Sequence, residues 1–111
     1  MREVKNKRVI IYETPDGKHP FTIWFEEIKD NTWRDAVDER INRVEKGNFG
    51  DSASVGEGVK ELKFKFGLRI YFAEIEDCII LLCSGNKKSQ TDDIKKAKKY
   101  WNEFISRSWK E

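Results

Sequence analysis

The sequence has 111 residues, of which 38% are hydrophobic, 38% charged and 13% aromatic, with a formal net charge of +2. That length suits one modest core, and so many rings exclude a disordered chain, so a single domain over 1–111 is expected. No run nears the roughly 20 apolar residues that span a bilayer, Met1 to Arg8 has no apolar secretory centre, and the lone histidine and two cysteines lack zinc-ligand spacing: the expectation is a cytoplasmic protein without metal or cofactor.

In chain order, Arg8 to Glu13 (RVIIYE) is apolar, β-branched and aromatic, and Thr14-Pro15-Asp16-Gly17 reads as the turn that stops this first strand. Pro20 suits a helix start, and Phe21, Trp24, Phe25 and Ile28 recur at helical spacing. Asp30-Asn31-Thr32 breaks that pattern and supplies a cap for a second helix. Its inward stripe is Trp33, Ala36, Val37, Arg40, Ile41 and Val44, and Gly47 ends it. Gly47 to Gly58 (GNFGDSASVGEG) reads as a flexible connection. It lacks the preceding strand and the following Gly-Lys-Ser/Thr of a phosphate-cradling loop.

Beyond it, Leu62, Phe64 and Phe66 alternate with Glu61, Lys63 and Lys65, and Gly67 permits a tight reversal. Leu68, Ile70 and Phe72 then alternate with Arg69, Tyr71 and Ala73. Cys78 to Ser84 (CIILLCS) is apolar on both faces, as a covered strand is. The odd separation of Cys78 and Cys83 puts them on opposite faces of that strand, a poor geometry for a bridge. After Ser84-Gly85-Asn86, a last helix carries Ile94, Ala97, Trp101, Phe104 and Ile105 as its apolar stripe, with Ser89 or Thr91 as cap. The class is therefore α+β in the order β-α-α-β-β-β-α, with an antiparallel sheet packed against a helical hairpin and a C-terminal helix.

Charge is unevenly spread. Residues 20–57 carry five bases and nine acids, residues 58–72 four bases and one acid, and residues 84–101 six lysines and two aspartates. The later part is the place to seek a polyanion. In a hairpin, outward side chains of neighbouring strands sit side by side, which groups Lys63, Lys65, Arg69 and Tyr71 on one surface. Lys87 and Lys88 emerge where the third strand of the meander meets the last helix. Metal-free RNA cleavage needs a base for the ribose 2′-hydroxyl, cations for the charge building on phosphate, and a proton for the leaving oxygen. Lysine and arginine supply the second role, a lysine desolvated beside other cations suits the first, and Tyr71 could stack on a base or relay a proton. The same alternation is also what a half-buried strand shows to water, and Lys95 to Lys99 is also what a solubilising helix face looks like. His19 lies in a turn away from this surface and reads as structural.

The string Gly47-Asn48-Phe49-Gly50-Asp51, followed by Val55-Gly56-Glu57-Gly58-Val59-Lys60-Glu61-Leu62-Lys63, resembles the G-N-x-G-D … V-G-x-G-V-x-E-L-[KR] signature of HigB-like killer proteins in the RelE/ParE toxin superfamily. Gly67 to Phe72 is similar to their G-Y-R-[IV]-Y-F, Ile80 to Gln90 to their L-L-x-x-G-[DN]-K-x-x-Q, and Asp93-Ile94 through Ala97 to the opening of their last helix. The likeness runs from about Tyr12 to Trp101. It implies a RelE/ParE-like fold and the toxin of a two-gene toxin–antitoxin module that cuts mRNA in the ribosomal A site without metal or cofactor. It implies as partners the ribosome, mRNA and a helix-turn-helix, HigA-like antitoxin through which the toxin oligomerises, and no membrane. Carried over motif by motif, the catalytic positions are Lys63, Lys65, Arg69 and Lys87, with Tyr71 and Asp93 as further candidates; Lys60, Lys88, Gln90 and Lys95 are candidate RNA contacts. Asp93 stands where RelE-type sequences often place a catalytic tyrosine, and the turn at Gly67 is about two residues shorter than the family's. Within the superfamily, a ParE-like inhibitor of DNA gyrase is the alternative, as is an inactive relative that only binds nucleic acid or antitoxin.

Overall fold

A computed structural model describes residues 7–108. Its elements are β1 (Arg8–Ile11), α1 (Pro20–Glu26), α2 (Asn31–Glu45), β2 (Ser52–Gly56), β3 (Val59–Lys63), β4 (Leu68–Ile75), β5 (Cys78–Asn86) and α3 (Gln90–Ser108). The α+β class is as expected, with three helices against one five-stranded sheet in the order β1-β5-β4-β3-β2.

Three expectations are corrected. The sheet is mixed, because β1 pairs parallel with β5, Arg8 opposite Cys78 through Ile11 opposite Leu81. The connection between them runs through α1, α2 and the three strands β2 to β4, ample for the crossover that a parallel pair requires. The second correction lies in the connection Gly47 to Gly58, which holds an extra strand, β2, so the order is β-α-α-β-β-β-β-α. Its small residues Ser52, Ala53 and Ser54 give almost no strand signal. What forms it is the turn: Gly56 pairs with Val59 across Glu57 and Gly58, whose φ values are 55° and 85°. Positive φ at both central residues is the requirement of a type I′ hairpin.

The helices begin where the sequence says. Asp30 caps α2, its carboxylate accepting from the Thr32 and Trp33 amides at 2.8 and 3.3 Å. The sheet has a core on each face. Phe21, Val37 and Val44 from the helical hairpin pack with Leu62, Phe64, Leu68, Ile70, Phe72, Ile79 and Leu81 on one side. On the other, Ala97 and Trp101 of α3 cover Val59, Tyr71, Ala73, Ile80, Leu82 and Cys83. Leu82 and Cys83 share that side because the β4–β5 register shifts at Tyr71/Phe72. The bulge brings Cys78 and Cys83 to one face, against the expectation from strict alternation; both are free thiols.

Candidate functional site

The β3–β4 hairpin positions the candidate cations. Phe64 N–H donates to the Leu68 carbonyl at 3.1 Å, and Gly67, at φ 93°, closes the loop with its N–H on the Phe64 carbonyl. Because antiparallel pairs alternate, the next pair, Lys63 with Arg69, is of the close type without mutual backbone bonds, and so is Glu61 with Tyr71. Lys63 and Arg69 thus face each other directly, an arrangement that costs stability between like charges. On the far side of β4, Arg69 pairs with Gly85, and the Lys87 N–H donates to the Gly67 carbonyl at 2.9 Å. Lys63, Lys65, Arg69, Lys87 and Lys88 therefore gather at one end of the sheet. Among the described residues, none of these four lysines has an ion pair. A groove of about 410 Å³ runs beside them between α2 and the turn, its charged lining made of Arg40, Arg43, Lys63 and Lys65 together with Glu39 and Asp51.

Alternation alone read the Glu61–Tyr71 side of this hairpin as open to water; α3 covers it. Tyr71 is 0% exposed and Glu61 2%, while the Arg69 side chain is 13% exposed. The Tyr71 hydroxyl donates to Glu61 Oε2 at 2.8 Å, and Gln90 Nε2 from the first turn of α3 donates to the same oxygen at 2.7 Å. Arg69 Nε lies 3.8 Å from it. Burial first, then the bond to Glu61 and the charges of Glu61 and Asp93, hold the Tyr71 phenol far above its ordinary range. Tyr71 is therefore corrected: it can neither stack on an exposed base nor give up a proton near neutral pH.

Asp93 is also buried, at 7% exposed, over Gly85, where a Cβ would overlap its carboxylate. It accepts from Ser89 Oγ, and its N–H donates to the Ser89 carbonyl at 2.9 Å. Ser89, just before Gln90, and Asn86, whose Oδ1 accepts from the Lys88 and Ser89 amides, shape this helix start. Of the two roles open to Asp93, a base or part of the helix cap, these contacts fit the second, and the carboxylate packs over Gly85 of β5. Lys60 is a further correction: it lies on the opposite face of β3, above the Phe49 ring and 2.6 Å from Glu74. Lys95 is exposed farther along α3, and Gln90 is engaged with Glu61.

Glu61 is the member of this buried cluster that alternation missed. Its only sequence signal was an acid amid the basic run 58–72, read as one more outward charge. Chemically, the arrangement offers free ammonium groups and one anchored guanidinium to an anion, with no converging group of three or more His, Cys, Asp or Glu among the described residues. No helix among them is long and apolar enough to cross a membrane.

No protein-family model matches the chain. It is 38% identical over 81 residues to an uncharacterized protein of Haemophilus influenzae (strain ATCC 51907 / DSM 11121 / KW20 / Rd), a match that covers 70% of this chain and 82% of that one. The chain belongs to the same family as that Haemophilus influenzae protein.

Proposed function

We propose that the chain is a HigB-like toxin of the RelE/ParE superfamily that inhibits translation by cutting mRNA on the ribosome. The observation that carries this reading is the cationic end of the sheet, where Lys63 and Arg69 face each other and Lys87 lies across β4 with no ion pair among the described residues. Glu61 supplies Arg69 with a countercharge, whereas Lys63 and Lys87 have no ion pair among the described residues, and a bound polyanion would supply theirs. The motifs from Gly47 to Ala97 add the resemblance, and the helical hairpin before the meander and the helix after it suit a RelE/ParE-like topology in which β2 lengthens the meander by one strand.

In this reading Lys63, Arg69 and Lys87 stabilise charge on the scissile phosphate while the ribose 2′-hydroxyl loses its proton to water and attacks phosphorus, and the 5′-oxygen departs taking a proton from water. Lys65 and Lys88 hold the RNA backbone on either side. The protein works in the cytoplasm, and a helix-turn-helix antitoxin restrains it by covering the cationic end and joins copies of the toxin into its complex.

The test is induced expression without antitoxin, with primer extension on abundant mRNAs in the first minutes. Cuts within translated codons that vanish when ribosomes are kept off the message, and that are lost in Lys63→Ala and Lys87→Ala, are the expected result. Intact messages with growth arrest and blocked supercoiling by purified gyrase would replace this reading with gyrase inhibition. Intact messages with normal growth would identify an inactive relative.

A further inference from the structure

We propose that Glu61 is a positioning residue: buried beneath α3, it acts through Arg69 and sets the direction from which that guanidinium meets RNA. This rests on the nuclease reading above. Arg69 has two ways to turn. Lys63 opposite repels it toward water, whereas Glu61, one step diagonally along β3, draws it inward. The inward position is the one found, with Nε 3.8 Å from Glu61 Oε2 and Nη1 donating to the Leu68 carbonyl at 3.1 Å.

How Glu61 holds Arg69 is the informative part. Arg69 Nε is buried and has no hydrogen-bond partner. The oxygen nearest to it is already taken by Tyr71 and Gln90, at 2.8 and 2.7 Å. The Nη1 bond to the Leu68 carbonyl fixes one side of the guanidinium, and the charge of Glu61 rather than a directed bond sets its Nε side, in surroundings where α3 excludes most of the solvent that would screen it. Tyr71 and Gln90 in turn fix the carboxylate from two different elements. Glu61 is too enclosed to touch RNA itself, so its influence runs through Arg69. Removing its charge while keeping its shape leaves the two hydrogen bonds in place and frees the arginine.

The experiment is a double-mutant cycle of E61Q and R69A in ribosome-dependent cleavage of a defined mRNA, with thermal unfolding of each purified variant as the check on folding. E61Q is expected to lower kcat on the order of 10–100-fold, the usual consequence of misplacing a group by about 1 Å. KM should stay level or fall, because losing an anion strengthens the local attraction for RNA. In the R69A background E61Q should have no further effect. If E61Q does not fold, Glu61→Asp, which keeps the charge but withdraws it by one methylene, should show the same loss of kcat. Wild-type kcat in the folded Glu61 variants beside an impaired R69A would overturn the positioning role and leave the nuclease reading intact. A full E61Q loss that persists without Arg69 would also overturn it. Unimpaired R69A would overturn the use of this site altogether.

Discussion

The two faces of the sheet are built on different principles. The face under α1 and α2 is apolar and ring-rich: Phe21 stacks with Phe25 at 6.0 Å, Trp33 with Phe66 at 5.0 Å, and Phe72 is fully buried against Phe49. The face under α3 buries Glu61, Tyr71 and Asp93 beside its apolar residues. A dry aromatic face tolerates no misplaced charge and supplies stability. A covered face with a buried polar cluster gives up some of that stability to hold particular groups in particular places. At the end of the sheet this face gives way to Lys63 and Lys87, which have no ion pair among the described residues.

The comparison is tested most severely by Phe72→Ala on the hairpin face, expected to cost about 3–5 kcal/mol and to lower the urea midpoint accordingly. A loss near 1 kcal/mol would mean that this face is loosely packed. Gly85→Ala, which drives a methyl group into Asp93, should cost about 1–3 kcal/mol by forcing the start of α3 off the sheet; an unchanged melting temperature would show that α3 rides freely there. Tyr71→Phe, which deletes only the bond to Glu61, should cost about 1 kcal/mol by the same measurement. Lys63→Ala should be neutral or should raise stability by a few tenths of a kcal/mol, since it relieves Arg69. A substantial loss would identify Lys63 as structural.

The smallest effect at neutral pH becomes visible in alkali. Burial, and then the charge of Asp93, push the Cys83 thiol from 9.0 up to about 12. Unfolding then releases its proton, so stability is complete below about pH 9 and declines as pH rises toward 12. Tyr71 and Tyr12, raised for the same first reason, act in the same direction at higher pH. Urea titrations across this range check the sign, and Cys83 should resist thiol reagents until the chain unfolds.

Much of this architecture was legible in the residues. Alternation over Glu61 to Lys63 and Leu68 to Ala73, the helical stripe from Trp33 to Val44 and the cap at Asp30 are local patterns that survive in the fold, whereas the alternation read through Phe64, Lys65 and Phe66 falls in the turn between β3 and β4. Non-local features were not legible. Nothing near Arg8 to Ile11 says that its neighbour is β5 or that the two run parallel. The bulge that puts Leu82 and Cys83 on one face is a property of two strands, not of one. Alternation separates Leu62 from Glu61 but cannot say that both sides will be covered. The basic positions were therefore visible as a group, while the burial of Tyr71, Glu61 and Asp93 awaited the position of α3.

β2, the strand with almost no sequence signal, has a consequence for how copies of the chain meet. It forms one border of the sheet, with small Ser52, Ala53 and Ser54, a register shift between Ser54 and Gly56, and a glutamate–glycine turn at its end. A long, flat, apolar border would invite another molecule's backbone to zip onto it. This one is short, kinked and poor in side chains worth burying, which makes it a weak template for self-association and for fibre growth.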